Sequence, residues 1–538
     1  MSVPSSYIRV MSGVPLNSSY EHSLYFSYPE EQEYYFYNQS LTNGKTFNNF
    51  TYLRPGNVIK VAGDVANART WNYLYFSNDI GKVYYHFIDK VVYVSDSVVE
   101  LHITLDVIQT YMFDWDLKPC FIERTHVKSD QFGEHTVPEG LETGPLVEQH
   151  RVDIDLHNNC ILMLMACDKN GNDARGKMYG GVYSGLKAYA VDPKDVAQLN
   201  LWFAGASQGG YIDAVNAIWM YPKDLVVISG TWDDGNALHE VTSVNEDKTV
   251  TIDDYFYNRT DIDGLTMRNR KSFCYPYTML YVSNNMGGCA TLRRELFDKN
   301  TKGKFQFYLE GALSPDAGVD MIPHYYKGAS SNFEEALSLP AFPSCSWISD
   351  TYLVWLAQNQ NSQALAQKQA VIQAGVGAAT AVGSIFSGNI GGAVGGLSST
   401  YSALNNVQSL MAQKADMAIQ PDQARGNHSG SINLTHYRMG FTAYFMSVTH
   451  EYAMKIDDYF TRYGYQVNTI DVPSIKNREL FTYIKTAGCL ATNKPGKALG
   501  AEDQLKIQAI FDRGITFWTD PKQFGSYYNP NRPLSEVT

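Results

Sequence analysis

The hydrophobic pattern first predicts β-structure near the start of the chain. Between residues 52 and 113, apolar and aromatic runs are divided by turn residues, and Val99, Leu101, Ile103 and Leu105 alternate with polar neighbours. An alternation of period two is typical of a β-strand with one buried face. The segment therefore predicts a meander of antiparallel strands whose second face contacts solvent.

Later parts of the chain also favour strands. The pattern predicts strands near 151–166 and 224–252, joined to the first meander by a polar connection with glycine and proline at 126–150. An aromatic block at 271–288 and the stretch from about 434 onward have the same residue pattern and are also predicted to form β-strands. We expect a β-rich protein in which a smaller helical content is spread between the sheets.

A charge-free segment interrupts this series of predicted strands. Between Asp350 and Lys414 the only charged residue is Lys368, and residues 371–400 contain no charge. Apolar residues recur at helical spacing on both flanks, whereas the centre is rich in glycine, alanine and serine. The pattern predicts a long hairpin insertion, partly helical, that projects from a β-built body.

The length of this segment is sufficient to cross a bilayer. As a helix, residues 371–397 would extend ~40 Å, more than the ~30 Å hydrocarbon thickness of a membrane. They hold eight glycines and a single leucine, which makes a constitutive anchor unfavourable. Ser384, Gly388, Gly392 and Gly396 recur every four residues, and such spacing lets helices pack closely in lipid.

Several uses of the segment remain open on physical grounds. Gly388-Asn389 also permits a hairpin of two strands, so copies of the chain could form either a helix bundle or a β-barrel. A solvated linker and an apolar core inside an oligomer are the alternatives to membrane insertion. Valine, isoleucine and phenylalanine are spaced through the segment, which weighs against a solvated linker.

Composition narrows the class of protein. A chain of 538 residues predicts several domains, and its formal net charge of -12 argues against nucleic-acid binding through neutralised phosphates. DNA could still slide past such a protein. Seven scattered cysteines without a CxxC pair predict neither a zinc site nor a disulfide framework. The N-terminus lacks the pattern of a secretory signal, so we expect synthesis in a cytoplasm.

Catalytic patterns have structural explanations that fit better. GASQG at 205–209 matches GxSxG, but the preceding residues predict a helix that ends at Gly205 instead of a strand before the serine. The adjacent carboxylates Asp253-Asp254 and Asp457-Asp458 are predicted on strands, where neighbours point to opposite faces. We therefore predict that the chain is not an enzyme and has no catalytic residue, metal site or cofactor.

Four segments resemble the distal tail tube, or tail knob, proteins of small short-tailed bacteriophages that infect Gram-positive bacteria and replicate by protein priming. They are VELHITLDVIQTYMFDW at 99–115 with FIERTHV at 121–127, NRKSFCYPYTMLYVSNNMGG at 269–288, the charge-free segment with its exit PDQARGNHSG at 421–430, and MKIDDYFTRYGYQVNTIDVPSIKNRELFTYIKT at 454–486. The last segment is specific enough to support the resemblance alone.

The resemblance implies a mainly β fold (β-rich α+β): a multidomain β-barrel or sheet subunit of a ring-shaped tube, with a long hydrophobic, partly helical loop insertion. The implied divisions are an N-terminal tube β-domain at 1–127, a middle mixed α/β region at 128–268, a second β tube portion at 269–349, a hydrophobic channel-plugging and membrane-active loop at 350–427, and a C-terminal β-domain that completes the tube at 428–538.

The function that the resemblance implies is that of a virion protein. Six copies would close the tail and conduct the genome, and their loops would plug the channel, then penetrate the host membrane during DNA ejection. The apolar positions of this membrane-active loop are Val371, Ile372, Val376, Val382, Ile385, Phe386, Ile390, Val394 and Leu397, with Gly388, Gly392 and Gly396 as helix-packing glycines.

The implied partners are further copies of the chain, the proximal tail tube or lower collar protein, a tail-tip peptidoglycan-degrading protein and lipids of the host cytoplasmic membrane. Genomic double-stranded DNA would pass through the lumen without sequence-specific binding. The alternatives are a carbohydrate-binding tail adhesin and a purely structural tube protein whose loop is only an internal plug.

Overall fold

The computed structural model confirms the mainly β fold class. It describes residues 7–48, 57–77, 81–156, 159–166, 178–179, 182–183, 187–195, 215–236, 238–244, 248–297, 303–313, 318–330, 332–339, 344–346 and 439–537. The chain divides into two compact units. The first unit comprises Met1–Pro145, Thr260–Tyr277 and Val448–Thr538, and the second comprises Leu146–Arg259 and Thr278–Ser447.

Strands dominate the described residues. In chain order they are β1 (Tyr7–Ser12), β2 (His22–Leu24), β3 (Gly44–Asn48), β4 (Val58–Ala62), β5 (Trp71–Ser77), β6 (Val83–Ser95), β7 (Val98–Leu105), β8 (Trp115–Leu117), β9 (Cys120–Thr125), β10 (Leu146–Asp155), β11 (Cys160–Ala166), β12 (Met178–Tyr179), β13 (Val182–Tyr183), β14 (Lys187–Val191), β15 (Val215–Pro222), β16 (Val226–Ile228), β17 (His239–Val244), β18 (Lys248–Asp253), β19 (Asp261–Ile262), β20 (Leu265–Thr266), β21 (Thr278–Ser283), β22 (Cys289–Leu292), β23 (Lys304–Gly311), β24 (Val319–His324), β25 (Leu337–Leu339), β26 (Ser344–Ser346), β27 (Gly440–Val448), β28 (Tyr465–Asp471), β29 (Phe481–Ala487), β30 (Ala491–Asn493) and β31 (Ile515–Trp518).

Helices connect these strands. The helices of the described residues are α1 (Pro29–Asn43), α2 (Val65–Ala68), α3 (Val107–Tyr111), α4 (His450–Tyr463), α5 (Ala501–Arg513) and α6 (Leu534–Val537). Within the same ranges, none of the helices combines the length and the apolarity that a membrane crossing requires.

The predicted meander forms the centre of an antiparallel sheet in the first unit, with the strand order β3-β1-β5-β6-β7-β4. The predicted solvent-facing side of the sheet is present along β7, where Val99 and Leu101 are buried and Thr104 is exposed. The prediction of one solvent-facing side is wrong for β5. There Tyr73 contributes to one buried cluster and Leu74 to another on the opposite face. Aromatic side chains fill both faces there, so the apolar run does not alternate.

A second sheet of the first unit joins distant parts of the chain in the order β2-β31-β29-β9-β28. β2 pairs with β31 in parallel, whereas the remaining neighbours are antiparallel. β9 lies between β28 and β29, which follow it by more than 300 residues. The first unit is therefore built from both end regions of the chain.

The stretch that begins at residue 450 forms a helix, which corrects the prediction that β-strands continue from about residue 434 onward. α4 begins after Thr449 and buries Ala453, Ile456 and Phe460. These residues are three and four positions apart, the spacing of one helical face. The periodicity therefore outweighs the aromatic content that favoured strands, and Asp457-Asp458 lies on a helix.

The second unit contains three larger sheets within the described residues. Their strand orders are β10-β27-β21-β22, β16-β17-β14-β11-β15-β26 and β18-β23-β24-β25. Predicted strands near 151–166 and 224–252 are thus present as β10, β11 and β16 to β18. A buried ion pair adds to this unit, because Arg294 donates to Asp254 from Nε at 3.0 Å and from Nη2 at 2.6 Å.

Two strands of the second unit flank the charge-free segment. β26 pairs with β15, and β27 pairs with β21. β26 ends at Ser346 and β27 begins at Gly440, and both strands belong to the second unit. The charge-free segment lies between these two strands in the sequence and outside the described residues.

Gly464 provides a test of the close approach between α4 and β9. Its φ is +63°, and a Cβ atom would lie 2.4 Å from the backbone carbon and oxygen of Thr125. We expect Gly464→Ala to reduce the free energy of unfolding by about 2–4 kcal/mol, since backbone atoms cannot rotate away. Gly488 has a φ of +69° with open space around it, so Gly488→Ala should reduce the free energy by only about 1 kcal/mol. Equal shifts in thermal unfolding would contradict the steric explanation.

Candidate functional site

Three remote stretches of the first unit meet in a buried cluster of polar side chains, which we call the polar junction. One stretch ends β9 and continues into the predicted connection at 126–150, the second precedes β21, and the third runs from α4 to β29. The buried members of the polar junction are Arg124, His126, Asp130, Glu139, Asn269, Lys271, Asp457, Tyr465 and Arg478, and the partly exposed Arg268 lies at its edge.

Glu139 lies at the centre of the polar junction. Its side chain is 0% exposed and accepts hydrogen bonds from the side chains of Arg124 and Lys271. It also accepts from the backbone N–H of Gln466 at 2.7 Å, and Arg124 donates to the carbonyl oxygen of Gly464 at 2.7 Å. Buried charges are tolerated only when they are paired. This carboxylate therefore couples all three stretches.

Lys271 is the most perturbed cation of the polar junction. Burial, followed by the positive charge of Arg124, lowers the pKa of Lys271 to about 7. The contact with Glu139 opposes this change, because a carboxylate stabilises the ammonium form. The charge of Lys271 at neutral pH therefore depends on Glu139.

Asp457 holds the turn before β21 against α4. Its carboxylate accepts from Arg268 Nε at 2.7 Å, from the backbone N–H of Arg268 at 3.0 Å, and from Asn269 Nδ2 at 2.9 Å. Asp458 instead pairs with Arg462 at 2.8 Å on the helix surface. Arg268 Nη2 also lies 4.0 Å from Asp458, so the adjacent carboxylates share one cation. Both are engaged in ion pairs, and they lie on a helix and not on the predicted strand.

Asp130 provides a further anchor. It accepts from the hydroxyl of Tyr465 at 2.7 Å and from the backbone N–H of Arg270 at 3.3 Å, and Arg478 Nη2 lies 3.7 Å from it. Burial, with the charge of Asp130 as a second cause, raises the pKa of Tyr465 well above its usual value. The tyrosine is therefore a permanent hydrogen-bond donor.

His126 occupies the floor of the polar junction as a neutral ring. Its Nδ1 accepts from the backbone N–H of Tyr483 at 2.7 Å, which leaves Nε2 to donate to the carbonyl oxygen of Thr461 at 3.0 Å. Burial, followed by the positive charge of Arg478, lowers the pKa of His126 to about 3. Both ring nitrogens are occupied by backbone groups, so the imidazole is positioned to join segments and not to transfer a proton.

The residues predicted to act in the membrane lie outside the described residues. This applies to every apolar position from Val371 to Leu397, to Gly388, Gly392 and Gly396, and to GASQG at 205–209. Their assignments stay predictions. Asp254, the second residue of the other carboxylate pair, is described and bonds to Arg294.

Sequence reasoning did not identify the polar junction. Glu139 lies in a polar connection with glycine and proline, where a charged residue normally contacts solvent. A weak signal is present in FIERTHV, because two adjacent charged residues, Glu123 and Arg124, lie within the short strand β9. Three of the four segments that resemble the tail knob family supply residues to the polar junction. These three segments are therefore in contact in the folded chain.

Two family models match separate parts of the chain. Residues 243–532 match the family model of the C-terminal domain of tail knob protein gp9 from Bacillus phage phi29. Residues 4–116 match the N-terminal model of caudoviral major tail proteins. The tail knob proteins gp9 of Bacillus phages PZA and phi29 are each 24% identical to this chain over 95% of its length and 96% of theirs.

A solved structure shows the same fold. The tail knob protein gp12 of bacteriophage C1 aligns with a TM-score of 0.65, covering 97% of this chain and 99% of that chain at 12% sequence identity. Together these findings define the class as structural proteins of bacteriophage tails. The chain belongs to the tail knob family represented by phi29 gp9, whose model matches more than half of its length.

Glu139→Gln should test the central carboxylate. The amide cannot neutralise Arg124 and Lys271, so we expect the free energy of unfolding to fall by about 3–5 kcal/mol. Glu134→Gln is the matched control on the same connection, because Glu134 is partly exposed, and it should change the free energy by about 0.5 kcal/mol or less. Denaturant unfolding of both variants checks the prediction, and similar losses would contradict it.

The neutral state of His126 predicts acid sensitivity. Its pKa is about 3 in the folded protein against 6.5 in the unfolded chain, so stability should be lost as the pH falls from 6.5 towards 3. The slope for one such group is about 1.4 kcal/mol per pH unit. His126→Gln, which keeps a donor and an acceptor, should unfold with a shallower slope between pH 6 and 4. The control His102→Gln changes an exposed ring and should keep the original slope.

Proposed function

We propose that the chain forms the distal tail knob as a homohexamer, closes the tail before infection and conducts the genome during ejection. Membership of the tail knob family supports this proposal. Its net charge of -12 gives a lumen that repels DNA phosphates, which favours sliding over binding. The partners are the lower collar protein above the knob and a peptidoglycan-degrading protein at the tail tip.

The charge-free segment acts in the last step of this function. It leaves the channel and enters the host cytoplasmic membrane, so that DNA crosses the lipid through a passage formed by several copies. The observation that supports this step is the uncharged stretch at 371–400, which lies in the sequence between β26 and β27. β26 pairs with β15 and β27 pairs with β21, and all four strands belong to the second unit.

The energetics of the transfer favour a segment of moderate hydrophobicity. In the channel, packing against other copies removes the apolar residues from water, and in the membrane lipid replaces those contacts at similar apolarity. A leucine-rich segment would insert at the first membrane it met. The abundance of glycine therefore suits a segment that first packs inside the channel and enters the membrane later.

The polar junction supports a structural role in place of catalysis. Its carboxylates are engaged by backbone and side-chain donors, and His126 is neutral with both nitrogens bonded. Such groups hold chain segments in position. We place the protein at the distal end of the virion tail after its synthesis in the host cytoplasm.

Dye release from liposomes of bacterial lipid composition tests the membrane step. Across pH 5 to 8, the intact chain should release dye, and the chain lacking residues 371–400 should not. Phe386→Asp should also abolish release, because an acidic residue at the centre of a spanning segment costs about 2.5–3.5 kcal/mol. Tyr528→Asp, a change at an exposed tyrosine outside the segment, is the matched control and should leak like the unmodified chain.

Light scattering of the same samples should show unchanged oligomers. If the deleted chain still releases dye, the segment is not the membrane element. If assembled oligomers of every variant leave the liposomes intact at each pH, the segment is an internal plug and the membrane step is wrong.

A further inference from the structure

Two buried cysteines of the first unit lie side by side, although they are more than 300 residues apart in the sequence. Cys120 begins β9, and Cys489 lies between β29 and β30. β29 pairs with β9 through Ala487 and Phe121, and β30 pairs with β8. Both cysteines therefore lie where two matched strand pairs follow each other.

The two thiols are in contact inside one hydrophobic cluster, where Cys120 is 7% and Cys489 0% exposed. Burial raises the pKa of Cys120, while a hydrogen bond with the side chain of Cys489 lowers it by less. Burial, followed by the charge of Cys120, raises the pKa of Cys489 to about 12. Both groups are free thiols in the structure, and both keep their protons at neutral pH.

The backbone around the pair is held on both sides. The N–H of Cys489 donates to Oδ1 of Asp512 in α5 at 3.3 Å, and the hydroxyl of Thr486 donates to the same oxygen at 2.8 Å. The N–H of Lys118 donates to the carbonyl oxygen of Leu490 at 3.0 Å. A disulfide forms without strain only between cysteines that are already close. These bonds keep the two cysteines in that position.

The pair lies directly below the surface of the first unit. Phe121, which follows Cys120, is 40% exposed, and Leu490, which follows Cys489, is 57% exposed. A local opening of so thin a layer is much less costly than unfolding of the unit. A molecule as small as hydrogen peroxide therefore reaches the more exposed thiol, that of Cys120, while the unit stays folded.

We propose that Cys120 and Cys489 are a modification site at which a peroxide forms an intrachain disulfide. The sulfur of Cys120 attacks one oxygen of hydrogen peroxide, the O–O bond breaks, and the departing hydroxide takes the thiol proton to become water. The sulfur of Cys489 then attacks the sulfenic sulfur of Cys120, the S–O bond breaks, and the hydroxyl leaves with the Cys489 proton as a second water. Two thiols are oxidised to one disulfide, and one peroxide is reduced to two waters.

The disulfide joins the two end regions of the chain that build the first unit. A crosslink stabilises a fold mainly by restricting the unfolded chain, and the effect increases with the length of the closed loop. The chain folds with reduced thiols in a cytoplasm, and the crosslink forms once its surroundings are oxidising. Oxidation therefore fixes the pairing of β9 with β29 after folding is complete.

Peptide mapping of the full chain without reductant tests the disulfide. The folded protein is treated with hydrogen peroxide at neutral pH, then with catalase and an alkylating agent, and is digested with trypsin. Residues 91–124 and 486–497 should appear as one linked pair of peptides that dithiothreitol separates. The midpoint of thermal unfolding of the oxidised chain should rise by about 5 °C or more.

Cys289→Ser is the matched control, because it removes an exposed cysteine of the second unit, and it should give the same linked peptides and the same rise. Cys120→Ser and Cys489→Ala each remove one partner, and both should abolish the linked peptides and the rise. The map of the unmodified chain decides the matter even if either variant fails to fold. Absence of the linked peptides when Cys289 is oxidised by the same treatment, or their formation only in denaturant, overturns the proposal.

Discussion

The pairing of one buried carboxylate with two cations is the constraint on which the first unit depends. Glu139 is removed from solvent, and among the described residues its charge is offset by Arg124 and Lys271. Each of the three groups would be strongly unfavourable if one were absent, because a buried charge without a counter-charge is destabilising. The three stretches that supply them must therefore fold together, which makes the assembly of the unit a single event in energetic terms.

Hydrophobic clusters alone would specify this arrangement less uniquely. Apolar contacts are non-directional, whereas the bonds from Asp457 to the turn at Arg268 and Asn269 define one register between that turn and α4. Asp130 adds the same kind of restriction to the segment around Arg478. A protein whose strands come from both end regions of the chain benefits from such directional contacts, since many alternative strand pairings would bury similar apolar area.

The fold of the chain is shared among tail knob proteins of low sequence identity. The fold persists at 12% identity in the tail knob protein of phage C1, and the family persists at 24% identity in gp9 of phi29. The fold is thus retained while most side chains change. Residues 371–400 differ from the rest of the chain in composition, because they contain no charge and are rich in glycine, alanine and serine.

The sequence by itself determined the β-rich class, the antiparallel meander around β7 and the charge-free character of residues 371–400, because each follows from local periodicity or composition. The family followed from the resemblance of four segments to tail knob proteins. Only tertiary structure decided that β5 is buried on both faces, that α4 is a helix in an aromatic-rich stretch, and that Glu139 meets Arg124 and Lys271. Local patterns record which residues prefer water or a strand. They do not record which distant charges will be neighbours, since that depends on how strands separated by hundreds of residues pair.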